Sequence, residues 1–251
     1  MSDRLEKTRR QWTDAAAAYL ASPTHASGED LDTMMRFADP KSDDVALDLG
    51  CGVGHALRRV AAKARLAVGA DATSGMLEGA RTLLARDGLT NAVLVVTTAE
   101  ELPFLDASFD VVVSRLAAHH FFDAGAAFRE VHRVLRPGGR FVLSDNYAPD
   151  DEALDRFINT LEATRDGTHV RSHTIAGWRE LIEQAGFDVT DESRGTIHIE
   201  TEPWLERART PAPEAARVRD MLRTAAGPTV ETFRIDAMGF DLLKVVLRAV
   251  P

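Results

Sequence analysis

The segment Asp48-Leu49-Gly50-Cys51-Gly52-Val53-Gly54 constrains this chain more than any other. It follows the apolar run Val45-Ala46-Leu47 and precedes Leu57, Val60, Ala61 and Ala64, which recur at helical spacing. A strand that ends in glycines and leads at once into a helix is the opening half of a βαβ unit. Glycine lets the backbone enter left-handed conformations and approach a ligand closely, and the helix start offers unpaired N–H groups to an anion. A dinucleotide pyrophosphate is held by the spacing G-x-G-x-x-G. Here the spacing is the tighter G-x-G-x-G, with Asp48 two residues ahead of the first glycine. That carboxylate would repel a pyrophosphate, and it suits a ligand whose nearby group is cationic, such as an ammonium or a sulfonium. Taken alone, the glycines also fit a purely structural tight turn.

The same rhythm continues downstream. Leu66 to Ala70 reads as a second strand, followed by a helix with Leu77, Ala80 and Leu84 inward and Thr73 or Ser74 as its cap. Ala92 to Val96 and Val111 to Val113 are the next strands. A helix over Ala124 to Leu135, stopped by Pro137-Gly138-Gly139, leads to a fifth strand at Phe141 to Leu143. Strands that alternate with helices imply a parallel, doubly wound sheet with helices on both faces. Its ligand crevice lies outside the carboxyl ends of the strands, so polar residues just after each strand are the first functional candidates.

Beyond the fifth strand the pattern changes. Thr174 caps a helix with Ile175, Trp178, Leu181 and Ile182 inward, and Asp188 to Glu200 reads as a strand. Residues 203–228 look like a helical insertion. Phe233-Arg234-Ile235 and Phe240 to Leu247 read as two strands joined at Met238-Gly239. At the other end, residues 3–20 and Glu29 to Phe37 read as helices separated by Pro23. The division expected is an N-terminal helical cover over 1–38 and one α/β domain over 39–251.

Charge and cysteine usage narrow the function. A net charge of −9 argues against nucleic acid as the main partner, because phosphate binding needs clustered cations. The one basic cluster, Arg4, Lys7, Arg9 and Arg10, is interleaved with Asp3 and Glu6, as on a solvated helix face. With Cys51 alone, no intrachain disulfide, redox pair or cysteine-cluster zinc site can form. The N-terminus lacks the apolar run of a signal peptide, and no stretch of about 18 apolar residues spans a membrane. The expectation is a cytoplasmic monomer or homodimer with a small-molecule partner.

Asp71 ends the second strand, 21 residues beyond Gly50, where an acid accepts hydrogen bonds from ribose hydroxyls. It could instead cap the helix that follows. Together, Asp48 to Gly54, Asp71 and Ala99-Glu100-Glu101-Leu102-Pro103-Phe104 resemble class I S-adenosylmethionine-dependent methyltransferases. The branch resembled is the ubiquinone/menaquinone-biosynthesis-like one, also termed methyltransferase type 11. Phe109-Asp110-Val111-Val112, His119-His120-Phe121 and Val134 to Gly139 extend the likeness, which covers roughly residues 40–190. These motifs are specific for fold and cofactor and say little about the acceptor.

The resemblance implies a Rossmann-like, seven-stranded, mostly parallel sheet in the order 3-2-1-4-5-7-6, with a final antiparallel hairpin. Helical N-terminal and C-terminal cover elements would choose the acceptor. It implies S-adenosyl-L-methionine as cofactor and S-adenosyl-L-homocysteine as product. Gly50, Gly52 and Gly54 would wrap the methionine part, over Asp48. Asp71 would hold the ribose, with Ala72 and Met76 near the adenine. Thr98, Ala99 and Glu100 would line the adenine pocket, and Ser114 and Arg115 would stand near the transferring methyl. Thr98 departs from the family, which commonly has an aspartate facing the adenine amino group. A threonine accepts a hydrogen bond there without the charge.

On the acceptor side, His119 and His120 are candidates for a general base, needed only if the nucleophile arrives protonated. Adjacent residues rarely face the same way, so one of the two is expected at the pocket. Asp145, Asn146 and Tyr147 end the fifth strand at the acceptor crevice. An Asp-Asn pair there resembles metal-dependent catechol-type enzymes, but those also want a carboxylate after the fourth strand, where this chain has Ser114, so no metal is expected. His169 and His173 have the i,i+4 spacing of a zinc pair but lack a third ligand, which favours loop histidines. His198 and Glu200 read as a sheet face. Tyr19, Ser22, His25 and Gly28 would belong to a lid. Two other readings stay open: an S-adenosylmethionine-binding regulatory protein without turnover, and a nicotinamide-dependent oxidoreductase.

Overall fold

Val45–Leu49 (β1) is buried at all five positions, as a strand covered by helices on both faces must be. Leu66–Asp71 (β2), Ala92–Val96 (β3), Phe109–Arg115 (β4) and Leu135–Asn146 (β5) run parallel to it in one sheet. Asp188–Glu200 (β6) and Gly239–Val250 (β7) are antiparallel to each other, and β7 also pairs antiparallel with β5. In this computed structural model, which describes residues 2–251, the strand order is β3-β2-β1-β4-β5-β7-β6. That is the order the resemblance implies. The order reverses between β1 and β4, and this switch point opens the crevice at their carboxyl ends.

The two faces of the sheet are sorted by the alternation of side chains along each strand. Leu47, Leu49, Val112, Phe141 and Leu143 pack on one face against Phe128 and Trp178. These come from Ala124–Val134 (α6) and Ile175–Gln184 (α8). Ala46, Val111, Val113 and Val142 pack on the other face with Leu57 and Val60 of His55–Ala61 (α4), and with Leu77 and Leu84 of Ser74–Arg86 (α5). Asp123 caps α6 by accepting from the Ala126 amide, and Thr174 caps α8 by accepting from Gly177. Trp178 is fully buried, and its indole N–H is satisfied by the Asn146 carbonyl at 2.9 Å.

The N-terminal segment forms Ser2–Leu20, Pro23–Ala26 and Glu29–Ala38 as three helices that lie along the sheet's helical layer and over its crevice. The first packs along α5, and its Arg9 donates to the Ala72 carbonyl at 2.9 Å. The third is pinned by a buried bidentate pair: Arg115, the last residue of β4, reaches Asp30 at 2.7 and 3.1 Å and the His25 carbonyl at 2.7 Å. On the other side of the crevice stands Glu152–Arg165. It shares an apolar cluster with Thr201–Arg207, Ala212–Thr224 and Pro228–Phe233 through Leu161, Trp204, Leu205, Val218 and Phe233. No described helix is long and apolar enough to cross a membrane.

Three expectations are corrected. Phe233-Arg234-Ile235 is not a strand: Phe233 closes a helix begun by Gly227 and Pro228, and Arg234 takes the left-handed conformation that ends it. The antiparallel pair is therefore β6 with β7, joined through the whole helical segment 201–238 rather than through Met238-Gly239. Pro137-Gly138-Gly139 does not stop α6. That helix ends at Val134, and the three residues lie within β5, beside an irregularity in its pairing with β4.

A buried ion pair that loses one member leaves an uncompensated charge, which costs about 3–5 kcal/mol. Asp30→Ala should therefore lower the urea-unfolding free energy by about that amount and expose the 20–30 segment to proteolysis. A loss below about 1 kcal/mol, the range of an exposed pair, would contradict the anchoring role.

Candidate active site

The glycine turn is folded back onto β2. The Gly50 and Cys51 amides both donate to the Ala70 carbonyl, at 2.8 and 3.1 Å, and the Gly52 amide donates to the Asp71 carboxylate at 2.9 Å. Gly50 and Gly52 have φ of +69° and +51°, the left-handed region that side chains resist. A Cβ on Gly50 would stand 2.4 Å from the Ala117 methyl, whereas a Cβ on Gly52 would meet nothing within 4 Å. Gly50 is thus required by the close approach of the loop after β4. Gly52 presents bare backbone to open space.

That space is a cavity of about 170 Å³ at the carboxyl ends of β1, β2 and β4, partly roofed by the first two helices. One water needs only about 10–15 Å³, so the cavity is large enough for an organic ligand. Three carboxylates line it, Asp48, Asp71 and Glu100, the first two beside the glycine turn. Asp48 is 1% exposed and neither of its oxygens makes a hydrogen bond of ordinary geometry, though the Leu57 amide at the start of α4 is directed at it. Burial and then the charge of Asp71 push it up to about 7, weakly opposed by Arg115 and the Leu57 amide. Asp71 accepts from the Gly52 and Thr73 amides, each at 2.9 Å. Burial raises it, against the pull of those two amides. Its bond to the Thr73 amide reaches the N-cap residue and not the first turn of α5, so Asp71 links the two turns without capping the helix. Thr73 itself makes no side-chain cap.

Asp48, Gly50, Gly52, Asp71, Ala72, Met76, Thr98, Ala99, Glu100, Arg115, His120, Tyr19 and His25 all line this cavity. Glu100 also accepts from the Phe122 amide at 2.7 Å, tying down the loop that follows His120. Eight sequence candidates do not line it: Ser22, Gly28, Gly54, Ser114, His119, Asp145, Asn146 and Tyr147. Gly54 starts α4 and faces Ala80, so its lack of a side chain serves helix packing. Ser114 is wholly buried inside β4. Tyr147 packs on the apolar cluster around Trp178.

The two histidines separate as their adjacency requires. His119 turns inward and meets the Asp145 carboxylate through Nδ1 at 2.5 Å; the same carboxylate accepts from the Ala118 and Asn146 amides. Burial lowers His119, but the Asp145 charge and hydrogen bond outweigh it and the net shift is upward. His120 reaches the cavity, with Thr168 3.4 Å from its Nδ1 and Trp12 edge-on at 5.0 Å. Burial and then His119 push it well below the usual histidine value, and Asp166 only partly offsets them. Among the described residues no three His, Cys, Asp or Glu side chains converge as a metal site. His169 bonds Asn159, His173 packs on Trp178, and His198 meets Asp241 on the sheet.

The sequence candidates omit Trp12, His55, Leu116 and Phe121, which also line the cavity. His55 bonds the Tyr19 carbonyl at 3.0 Å and so joins the turn to the cover. Its place directly after Gly54, at a helix start, was the available signal. Trp12 carried none beyond helical periodicity.

Comparison with known proteins places these features in a family. Residues 47–143 match the model of a methyltransferase domain. The "uncharacterized methyltransferase YcgJ" of Bacillus subtilis is 36% identical over 220 residues, which span 88% of this chain and 87% of that one. Its crystal structure superposes with a TM-score of 0.85 at 33% identity, covering 88% of this chain and 97% of the other. The 27-O-demethylrifamycin SV methyltransferase of Amycolatopsis mediterranei is 32% identical over 201 residues, 78% of this chain and 71% of its own length.

Asp48 titrates near 7 when folded and near 3.9 when unfolded, so the folded protein binds that proton more tightly. The burden on stability is absent below the unfolded value, grows as pH rises, and is complete above pH 7, where it reaches about 4 kcal/mol at most. Asp48→Asn should therefore raise the melting temperature of the ligand-free protein at pH 8 and change it little at pH 4. A difference that stays constant with pH would show that the buried carboxylate is not strained.

Proposed function

The chain belongs to the class I S-adenosylmethionine-dependent methyltransferases, and from that premise we propose that it methylates carbon or oxygen of a small-molecule acceptor, using the donor in the cavity above Asp48. The Asp48 carboxylate, which makes no hydrogen bond of ordinary geometry, carries the reading. A buried acid held near neutrality lacks a counter-charge, and an amino-acid ammonium supplies one. Asp71 accepts from the Gly52 and Thr73 amides and from the Thr73 side chain, and its two oxygens, with about four acceptor sites between them, keep room for a ribose hydroxyl. Ala72, Met76 and Ala99 offer an apolar wall for an adenine. With Thr98 in place of an acid, adenine selection rests on Glu100, Thr98 and backbone groups.

When bound, the sulfonium supplies an electrophilic methyl and a neutral thioether leaving group. The protein's task is then positioning. The Gly50–Gly52 backbone and Asp71 fix one side of the cavity, and Trp12, Tyr19 and His25 close the other against water. Burial keeps His120 neutral, which leaves a ring nitrogen unprotonated at the cavity while making it a weaker base than a free histidine; we assign it the proton of an acceptor hydroxyl. The name of the rifamycin relative specifies a small-molecule acceptor, which supports that class here.

Calorimetry with S-adenosylhomocysteine tests the donor site. Asp71→Ala and Gly52→Val should each weaken binding about tenfold or more, since each removes a charged hydrogen bond or fills ligand space. Wild-type affinity in both, or saturable NADH binding in place of S-adenosylhomocysteine, would refute the site.

A screen of acceptors that follows S-adenosylhomocysteine release tests turnover. Tight binding with no release across the screen would favour a regulatory protein instead. With an active hydroxyl acceptor, His120→Gln should lower kcat by about 10²–10⁴ while leaving S-adenosylhomocysteine affinity intact. The acid limb of kcat/KM should fall below pH 6.5, because His120 is shifted down from its ordinary value of 6.5. An unchanged kcat would remove His120 from the chemistry.

A further inference from the structure

Two guanidinium groups meet at Tyr19, a residue that lines the cavity. Arg207 ends the helix Thr201–Arg207, and its guanidinium carbon lies 5.9 Å from the centroid of the Tyr19 ring. Its Nε is buried and has no hydrogen-bond partner. Arg165 ends the helix Glu152–Arg165 and donates from one nitrogen to the Tyr19 hydroxyl and the Trp204 carbonyl, both at 3.1 Å. The groups that act on Arg207 are Tyr19 and Arg165; no carboxylate is among them. The acid nearest in sequence to Arg165 is Asp166, and it is already engaged by Gln11, Thr168 and His120. Lys244 is different, because Asp30, Asp145 and Glu162 surround it.

Two half-buried like charges cost free energy unless a counter-ion joins them. Asp166 partly offsets the charge of Arg165, but although the chain carries a net −9, no acid is placed against Arg207. The field of the pair also reaches the cavity. His25, which lines it, is held neutral by burial and then by Arg207, Arg115, Lys244 and Arg165. A pair of planar forks with free N–H groups matches the oxygens of a carboxylate or a phosphate.

We propose that Arg165 and Arg207, flanking the Tyr19 hydroxyl, bind an anionic group of the methyl acceptor, a carboxylate or a phosphate, and hold its far end toward the methyl donor. This rests on the methyltransferase reading. Both residues come from cover helices, and neither lines the cavity itself; they reach it through Tyr19, which does. They are specificity residues that select acceptors by charge.

The test uses the full chain loaded with S-adenosylhomocysteine and three probes of similar size: benzoate, phenyl phosphate and neutral benzamide. Titration calorimetry should show saturable binding of benzoate or phenyl phosphate, with benzamide weaker by about tenfold or more. Which anion binds more tightly identifies the group. Arg207→Gln should lose about tenfold or more of that anion affinity, and Arg207→Lys should recover part of it, while S-adenosylhomocysteine affinity stays within about twofold in both. Benzamide binding as well as the anions would overturn the proposal. So would anion binding indifferent to Arg207→Gln, or no saturable anion binding at all. If S-adenosylhomocysteine itself fails to bind, the donor-site reading falls, and the anion titrations repeated without it still decide the role of the arginine pair.

Discussion

The double acceptance at the Ala70 carbonyl holds the rest of the site in place. Two successive amides, Gly50 and Cys51, converge on one oxygen at the end of β2. That forces the chain leaving β1 into a left-handed turn and drops the Gly52 amide onto Asp71. The same turn leaves no room for a side chain at Gly50, where the Ala117 methyl from the loop after β4 is packed. Three strand ends are thereby drawn together, and two acids, Asp48 and Asp71, are brought close enough to raise the former's pKa. A site that stores an unpaired carboxylate is less stable empty than filled, and the binding of a cation relieves it.

The cover contributes what the sheet cannot. Arg115 leaves β4 at the crevice and fastens the third helix through Asp30 and the His25 carbonyl. His55, at the start of α4, holds the Tyr19 carbonyl. Tyr19 and His25 are therefore positioned from the same strand ends that build the cavity. Behind them, Arg165 and Arg207 arrive from the C-terminal helices. On the proposed reading, the sheet supplies donor binding, and the helices around it supply whatever distinguishes one acceptor from another.

Legibility in the sequence followed burial. The central strands stood out because apolar runs such as Val45 to Leu49 are covered on both faces and closed by glycine. β6 and its partner β7 both read correctly as strands, but the third strand expected between them does not exist. Phe233-Arg234-Ile235 has strand-like composition, and only the Gly227-Pro228 helix start against the shared core of Leu161 and Val218 decides otherwise. Around the cavity, residues that directly follow strands were identifiable because topology puts the crevice there. His119 and His120 could not be told apart until the short turn after β4 sent one to Asp145 and the other to the cavity. Trp12, Arg165 and Arg207 were invisible as site residues. Helical periodicity tells which face is apolar and says nothing about what that face will cover.

The proposed donor site has Asp48–Gly54 holding the amino-acid end of an S-adenosylmethionine-type ligand. A crystal structure of the chain with S-adenosylhomocysteine bound decides it. The ligand's ammonium is expected within about 3.2 Å of the Asp48 carboxylate, or one water away, with its ribose hydroxyls on Asp71. Ligand density lying outside this turn, or an Asp48 that faces no cationic group in the complex, would contradict it.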